Sequence, residues 1–238
     1  MLSIQTKNTY RLTALMMVVI IIGVQWGFYE TYTSQFPNFI NSTYIIHIHG
    51  ALLMIWLGLL VVQPMLIYIK KAKLHRSIGK VAFVLGPLII LSMYFVTKDS
   101  YWRGFNVLSE SENLGFMVLD IRGFFSFAIF WALAMGYRKT PYAHMRYMIG
   151  TGILAIGPGV GRGLLASFDI TPYVAFTITD GIDILIVGTL LGIDLVNKND
   201  YKPYLVVFLF LLVGSVLWQI NESSLWQNFA LSYAELFY

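Results

Sequence analysis

The sequence predicts an all-α fold, a polytopic transmembrane bundle of seven helices with the N-terminus inside and the C-terminus outside. Hydrophobic residues make up 58% of the 238 residues and charged residues 12%, whereas typical domains carry about 25% charged residues. Apolar runs of about 18 residues or more recur along the chain, and such runs are typical of membrane-spanning helices. Basic residues concentrate in alternate connections between these runs, which is the pattern of cytoplasmic loops.

Seven spans follow from the apolar runs, and we interpret residues 1–238 as a single transmembrane domain. The approximate limits of the spans are 12–29, 44–69, 76–97, 114–137, 144–168, 172–194 and 203–220. The first run resembles a signal sequence, but it is long and lacks a small-x-small cleavage site, so we expect a retained span. The longest predicted connection is 98–113, and the tail from Asn221 onward mixes aromatic and polar residues, which favours the membrane interface.

The basic residues predict the orientation. With the N-terminus inside, twelve of the 16 lysines and arginines fall in inside connections, where they are favoured. These twelve are Lys7, Arg11, Lys70, Lys71, Lys73, Arg76, Lys80, Arg138, Lys139, Arg146, Lys198 and Lys202. Because the net charge of +4 is explained by topology, the expected partner is the lipid bilayer, and no nucleic acid is predicted. The chain has no cysteine, which excludes disulfides, thiolate nucleophiles and iron–sulfur ligation.

Short motifs at the ends of the spans resemble those of a known family. They are HG at 49–50, LHRSIGK at 74–80 and AHMRYM at 143–148, followed by Arg162. The pattern HR-x-x-G on one loop and A-H-x-R-x-M on the next resembles a family of predicted bacterial polytopic membrane proteins of unknown function. The resemblance covers about residues 47–165 and implies a bacterial cytoplasmic membrane, but no reaction. The architecture has a looser similarity to small membrane b-type cytochromes, which hold histidines at the ends of bundled helices.

Two histidines on the inside connections are candidate cofactor ligands. His75 and His144 begin successive spans from the same side, together with Arg76 and Arg146. The two imidazoles are therefore expected at equal depth on facing helices, as a bis-histidine haem b requires. A quinone head group would also suit histidine and arginine. The alternative is that these residues anchor the helix ends in the lipid headgroups.

A second polar group lies within or near the outer halves of the spans. Its members are His47, His49, Asp120, Arg122, Arg162, Asp180 and Asp183. Ionisable groups inside a span are costly unless paired, and they usually face the bundle interior. Thr177, Asp180 and Asp183 recur every three residues and form one polar stripe. Two arginines can neutralise two of the three aspartates, so the group forms a substrate or ion pocket with one spare carboxyl, or else a structural ion-pair network.

The pair His47 and His49 is not expected to bind one ion. Helix positions two apart point about 200° away from each other, so we expect His49 to face the bundle and His47 to lie at the interface. Strong metal sites need a third and a fourth ligand, and no metal site is predicted.

The glycine-rich stretch IGPGVGRG at 156–163 resembles a phosphate-binding loop. That motif must follow a strand, whereas this stretch lies inside a span, so we interpret it as a surface for close helix packing. The alternative is that the glycines open the backbone to a ligand beside Arg162. Pro158 is expected to kink the span.

Three functional hypotheses follow. A haem-binding or quinone-linked electron-transfer protein would use His75 and His144, with His49 as a further cofactor-binding candidate. A proton-coupled transporter would use Asp180, Asp183, Arg162 and His49. A non-catalytic assembly or scaffold protein would use none of them for chemistry. No catalytic residue is identified, and the choice between enzyme and non-enzyme is left open, as are the substrate and the oligomeric state.

Overall fold

The computed structural model describes residues 4–40 and 42–238, with side chains described from residue 8 onward. This part of the chain is helical and contains no strand. Its α-helices are α1 (Ile4–Phe28), α2 (Tyr44–Tyr68), α3 (Ala72–Gly79), α4 (Ala82–Gly104), α5 (Glu110–Gly136), α6 (Pro141–Ile153), α7 (Ile156–Ser167), α8 (Pro172–Val196), α9 (Lys202–Gln219) and α10 (Ser224–Phe237). A short 3-10 helix, Thr33–Gln35, lies between α1 and α2.

Seven helical segments of the described chain are long and apolar enough to cross a membrane, which confirms the predicted fold class. The third span joins α3 to α4 and the fifth joins α6 to α7. We call the end of the bundle that carries the connections 69–71, 137–140 and 197–201 the basic end, and the other end the opposite end.

The connection between the third and fourth spans is shorter than the sequence predicted. Helix α4 continues to Gly104 and α5 begins at Glu110, so only 105–109 connects them. A capping box starts α5: the Ser109 hydroxyl accepts from the Glu112 N–H, and the Glu112 carboxylate accepts from the Ser109 N–H. The charged residues before residue 114 indicated a loop, but here they form the first turn of a helix.

The tail folds into the amphipathic helix α10 against the opposite end. Trp226 is buried, and its indole N–H donates to the carbonyl of Leu114 at 2.9 Å. The Tyr238 phenol donates to the Thr97 hydroxyl at 2.8 Å. Burial raises the pKa of Tyr238, which keeps the phenol a neutral donor.

The fifth span is interrupted between Ile153 and Ile156, just before the proline that was expected to kink it. A proline inside a helix has no N–H to donate, and its ring clashes with the carbonyl four residues earlier. For Pro158 that carbonyl belongs to Leu154, which lies at the break. The interruption therefore has a local sequence cause.

Helices α1 and α7 pack closely through glycines. Gly23 and Gly27 of α1 face α7, while Gly159 and Gly163 of α7 face α1. A Cβ atom on Gly27 would overlap the carbonyl oxygen of Gly159, so the two backbones touch. Small residues four apart allow this approach in membranes. Gly159 and Gly163 of the 156–163 stretch thus have a packing role.

The core between the spans is built from large apolar side chains. Trp56, Phe130 and Met17 are each at most 1% exposed and belong to one buried cluster. The indole N–H of Trp56 donates to the Thr151 hydroxyl at 3.0 Å, which satisfies its only polar atom and links α2 to α6.

Candidate functional site

A cavity of about 590 Å³ lies at the basic end of the bundle, between the start of α1, the end of α2, α3, the start of α4, the end of α5 and the start of α6. Ligand pockets usually measure about 300–1,000 Å³. Its apolar lining residues include four methionines: Met17, Met135, Met145 and Met148. Its polar lining residues are Tyr10, Thr13, Gln63, His75, Arg76, Lys80, Arg138 and His144. The structure therefore brings His75 and His144, from different helices, to one cavity.

His144 is held by the end of the preceding helix. Its Nδ1 lies 2.8 Å from the carbonyl oxygen of Ala134, in the last turn of α5. Such carbonyls lack a partner within their own helix. Because a carbonyl only accepts, Nδ1 carries the hydrogen and donates it. In the tautomer with its hydrogen on Nδ1, Nε2 is the nitrogen with a free lone pair.

His75 is held by Gln63 in α2. Its Nδ1 lies 3.4 Å from the Gln63 backbone oxygen. With the Gln63 amide turned so that its nitrogen faces the ring, the amide donates to Nδ1 at 2.6 Å and its oxygen accepts from the Gly79 N–H at 3.1 Å. The backbone oxygen can only accept, so it requires the hydrogen on Nδ1, whereas the turned amide donates to an Nδ1 that lacks the hydrogen. The Nε2 atom of His75 is left without a protein partner among the described residues.

The cavity is positively charged. Arg76, Lys80 and Arg138 line it, and none of its described lining residues is acidic. The Arg138 guanidinium donates to the Met135 carbonyl at 3.1 Å and lies 5.7 Å from the centre of the Phe83 ring. Neither contact neutralises the arginine. An acidic group on an otherwise apolar ligand would therefore be attracted to this site.

Arg146 was grouped with the histidines in the sequence, but it does not line the cavity. It is buried and binds Asp194 of α8 through two hydrogen bonds, at 2.5 Å from Nε and 2.6 Å from Nη2. Its guanidinium also lies 3.1 Å from the centre of the Tyr142 ring. Arg146 thus joins α6 to α8, and the interpretation as a headgroup anchor is wrong for this residue.

Arg122 and Asp180 form a bidentate ion pair between α5 and α8. The two N–H···O distances are 2.7 and 2.6 Å, and they use both carboxylate oxygens. Asp183, one turn further along α8, is only 6% exposed. Its Oδ1 atom has no hydrogen-bond partner in the part of the chain that the structure describes.

His47 and His49 contact different neighbours. The Nδ1 atom of His47 lies 2.6 Å from the Tyr32 hydroxyl, beside the connection between α1 and α2. The Nδ1 atom of His49 lies 3.0 Å from the hydroxyl of Ser92 in α4, and that hydroxyl donates its hydrogen to the Ile89 carbonyl. Neither histidine lines the cavity at the basic end.

Arg162 is close enough to Asp120 and to His49 to interact electrostatically with each of them. Arg162 is exposed, donates to the Pro158 carbonyl at 3.0 Å and lies 4.8 Å from the centre of the Phe28 ring. Within residues 4–40 and 42–238, its guanidinium has no carboxylate within 4 Å. Within the predicted outer group, Arg162 thus interacts with Asp120 and His49, while Asp183 interacts with the Arg122–Asp180 pair.

Sequence reasoning did not assign Gln63, Arg138 or Asp194 to a site. Gln63 and Asp194 are single polar residues near the ends of apolar runs, which is a usable signal for a buried partner. Arg138 is one of many basic residues in its class of loop, so nothing in the sequence distinguishes it.

Comparison with known proteins leaves the chain without an assigned family. No protein-family model, curated protein or solved structure matches it.

Proposed function

We propose that this integral multi-pass membrane protein binds haem b in the cavity at the basic end and transfers electrons through it. His75 and His144 are the residues that would hold its iron. We further propose that the basic end faces the cytoplasm of a bacterium, since the concentration of basic residues in its connections favours that orientation.

The observation that carries the proposal is the location of the two imidazoles and the contacts of their Nδ1 atoms. Both line one cavity, and the Nδ1 atom of each lies near a backbone carbonyl oxygen: that of Ala134 at 2.8 Å for His144 and that of Gln63 at 3.4 Å for His75. Ligating histidines typically donate their other ring nitrogen to a carbonyl, which fixes the tautomer and the ring orientation. His144 already has this arrangement with Ala134.

The remaining lining also fits the group. Haem has an apolar macrocycle and two carboxylates. The cavity is lined by four methionines and by Arg76, Lys80 and Arg138. Arginine and lysine suit carboxylates, which they bind through charge-assisted hydrogen bonds. When bound, haem supplies one-electron chemistry at a potential set by its ligands and surroundings. The chain's own residues would bind, orient and shield it.

The test is an absorption spectrum of the purified protein, expressed with haem precursors and reduced with dithionite. We expect a Soret band and one haem per chain, which a pyridine haemochrome assay quantifies. His75→Ala and His144→Ala are each expected to lower the haem content at least tenfold. His47→Ala is the matched control and should keep the wild-type content, because His47 contacts Tyr32 and not the cavity.

Size-exclusion chromatography of each variant separates loss of haem from loss of folding. A wild-type protein that retains no haem after titration with haemin and removal of the unbound haemin contradicts the proposal. A colourless protein that retains quinone through purification contradicts it too, and assigns the cavity to quinones instead.

A further inference from the structure

Asp183 is a buried carboxyl group near the middle of the membrane. It is the twelfth of the 25 residues of α8, about 16 Å along the axis from Pro172 at 1.5 Å per residue. Only 6% of the residue is exposed, and its Oδ1 has no hydrogen-bond partner among the described residues. A charge in this position is costly unless it is paired or hydrated.

The cation that interacts with Asp183 is Arg122, and it is already paired with Asp180. Arg122 binds both oxygens of Asp180, so this ion pair is neutral without Asp183. The titratable groups on the neighbouring helices can be enumerated. Helix α7 carries Arg162, and α5 carries Glu110, Glu112, Asp120 and Arg122. At the basic end, α9 carries Lys202 and Tyr204, and α6 carries Tyr142, His144, Arg146 and Tyr147. None of them forms a salt bridge with Asp183 in the described part of the chain.

A stripe of polar residues on one face of α8 extends from the opposite end to Asp183. Gln219 donates to the Thr177 hydroxyl at 3.2 Å near the opposite end, and the stripe continues one turn at a time through Asp180 to Asp183. One turn further, the same face carries Val187, which is fully buried in the apolar core. The stripe therefore ends at the unpaired carboxyl.

We propose that Asp183 is a proton-binding site that exchanges with the opposite end along this stripe. The carboxylate takes up one proton on an oxygen and later releases it, with no other bond changed. The site is separate from the cavity at the basic end and does not depend on haem. Asp180, the other carboxylate of the transporter hypothesis, is not available for this role because Arg122 holds both of its oxygens.

A proton fits the site better than a metal cation does. Cations such as Ca²⁺ take six to eight oxygen ligands, and Mg²⁺ requires octahedral coordination. Among the residues whose side chains are described, no group of three or more histidines, aspartates and glutamates lies close enough to hold a metal ion. One carboxyl oxygen without partners matches a proton, which needs a single acceptor.

Infrared spectroscopy of the purified protein tests the proposal. At neutral pH we expect a carbonyl stretch from a protonated carboxyl group, which shifts in D2O under native conditions. Asp183→Asn should remove that band, whereas Asp200→Asn, at an exposed position, should leave it unchanged. Asp120→Asn is measured alongside, because Asp120 is the other aspartate of the spans without a salt-bridge partner among the described residues.

The wild-type spectrum alone tests for a protonated carboxyl group, so the proposal can be overturned even if a variant fails to fold. Absence of a protonated-carboxyl band at neutral pH overturns the proposal, as does a band that Asp183→Asn leaves intact. A band that disappears when sodium is added at constant pH also overturns it, since a bound cation would then replace the proton.

Discussion

Arg146 and Asp194 form the most buried ion pair of the described residues, with 5% and 3% of their side chains exposed. Removing two charges from solvent is expensive, and the cost is offset only when further hydrogen bonds complete the pair. Asp194 also accepts from the Tyr142 hydroxyl at 2.9 Å and from the Asn199 amide at 3.2 Å. The pair therefore depends on every partner, and the loss of one leaves the other buried without compensation.

Asp194→Asn is expected to lower the free energy of unfolding by about 3–5 kcal/mol, the usual result of breaking a buried pair from one side. Thermal unfolding in detergent measures the effect. Arg103→Gln is the control, because the Arg103–Asp99 pair is half exposed at the arginine and such pairs contribute about 0–1 kcal/mol. Equal shifts in the two variants would contradict the assigned role of Asp194.

At the scale of elements, the contact of α1 with α7 determines how the first span sits in the bundle. Gly27 and Gly159 bring the backbones together, and the Trp26 ring covers Gly163. The Trp26 indole N–H also donates to the Ser167 hydroxyl at 3.2 Å. Since lipid competes equally for apolar side chains, close packing and such hydrogen bonds hold membrane helices together.

Gly27→Ala should weaken this contact, because the new methyl group overlaps the Gly159 carbonyl and the helices must separate. Overpacking typically costs about 1–3 kcal/mol, and we expect a lower midpoint of thermal unfolding. Gly58→Ala is the matched control: no atom lies within 4 Å of its Cβ position, so no loss is expected. A Gly27→Ala protein with an unchanged unfolding midpoint would show that α1 and α7 are less tightly packed than the contact of Gly27 with Gly159 implies.

At the scale of the whole molecule, seven spans and a basic end predict which side of the membrane each connection faces. Chemical labelling can test this topology. The chain has no cysteine, so single cysteines can be introduced without a background. Val107 and Asp169 lie in exposed connections at the opposite end, and Lys139 and Asp200 lie in exposed connections at the basic end.

We expect a membrane-impermeant maleimide to label Val107→Cys and Asp169→Cys in intact cells. Lys139→Cys and Asp200→Cys should react only after the membrane is permeabilised. The physical reason is the retention of basic loops in the cytoplasm. The reverse pattern would show the opposite orientation, and a mixed pattern would contradict the seven spans.

The span number could be predicted because it depends on local hydropathy, which each segment carries in its own residues. Similarly, His75 and His144 could be assigned to one end because an even number of spans separates their loops. The partner of Arg146 could not be predicted, nor could the fact that Asp183 has no salt-bridge partner among the described residues. Both depend on how each helix is rotated about its axis, and that rotation is set by distant contacts such as Gly27 with Gly159.

The glycine contact also has a consequence for biosynthesis. Gly159 follows Gly27 by about 130 residues, so ribosomes that add about 5–20 residues per second deliver α7 roughly 7–26 s after the matching surface of α1. During that interval the Gly23–Gly27 surface is unoccupied in the nascent chain and open to other helices, including α1 of a neighbouring nascent chain. Insertion machinery that shelters the first span until the fifth arrives would prevent that mispairing.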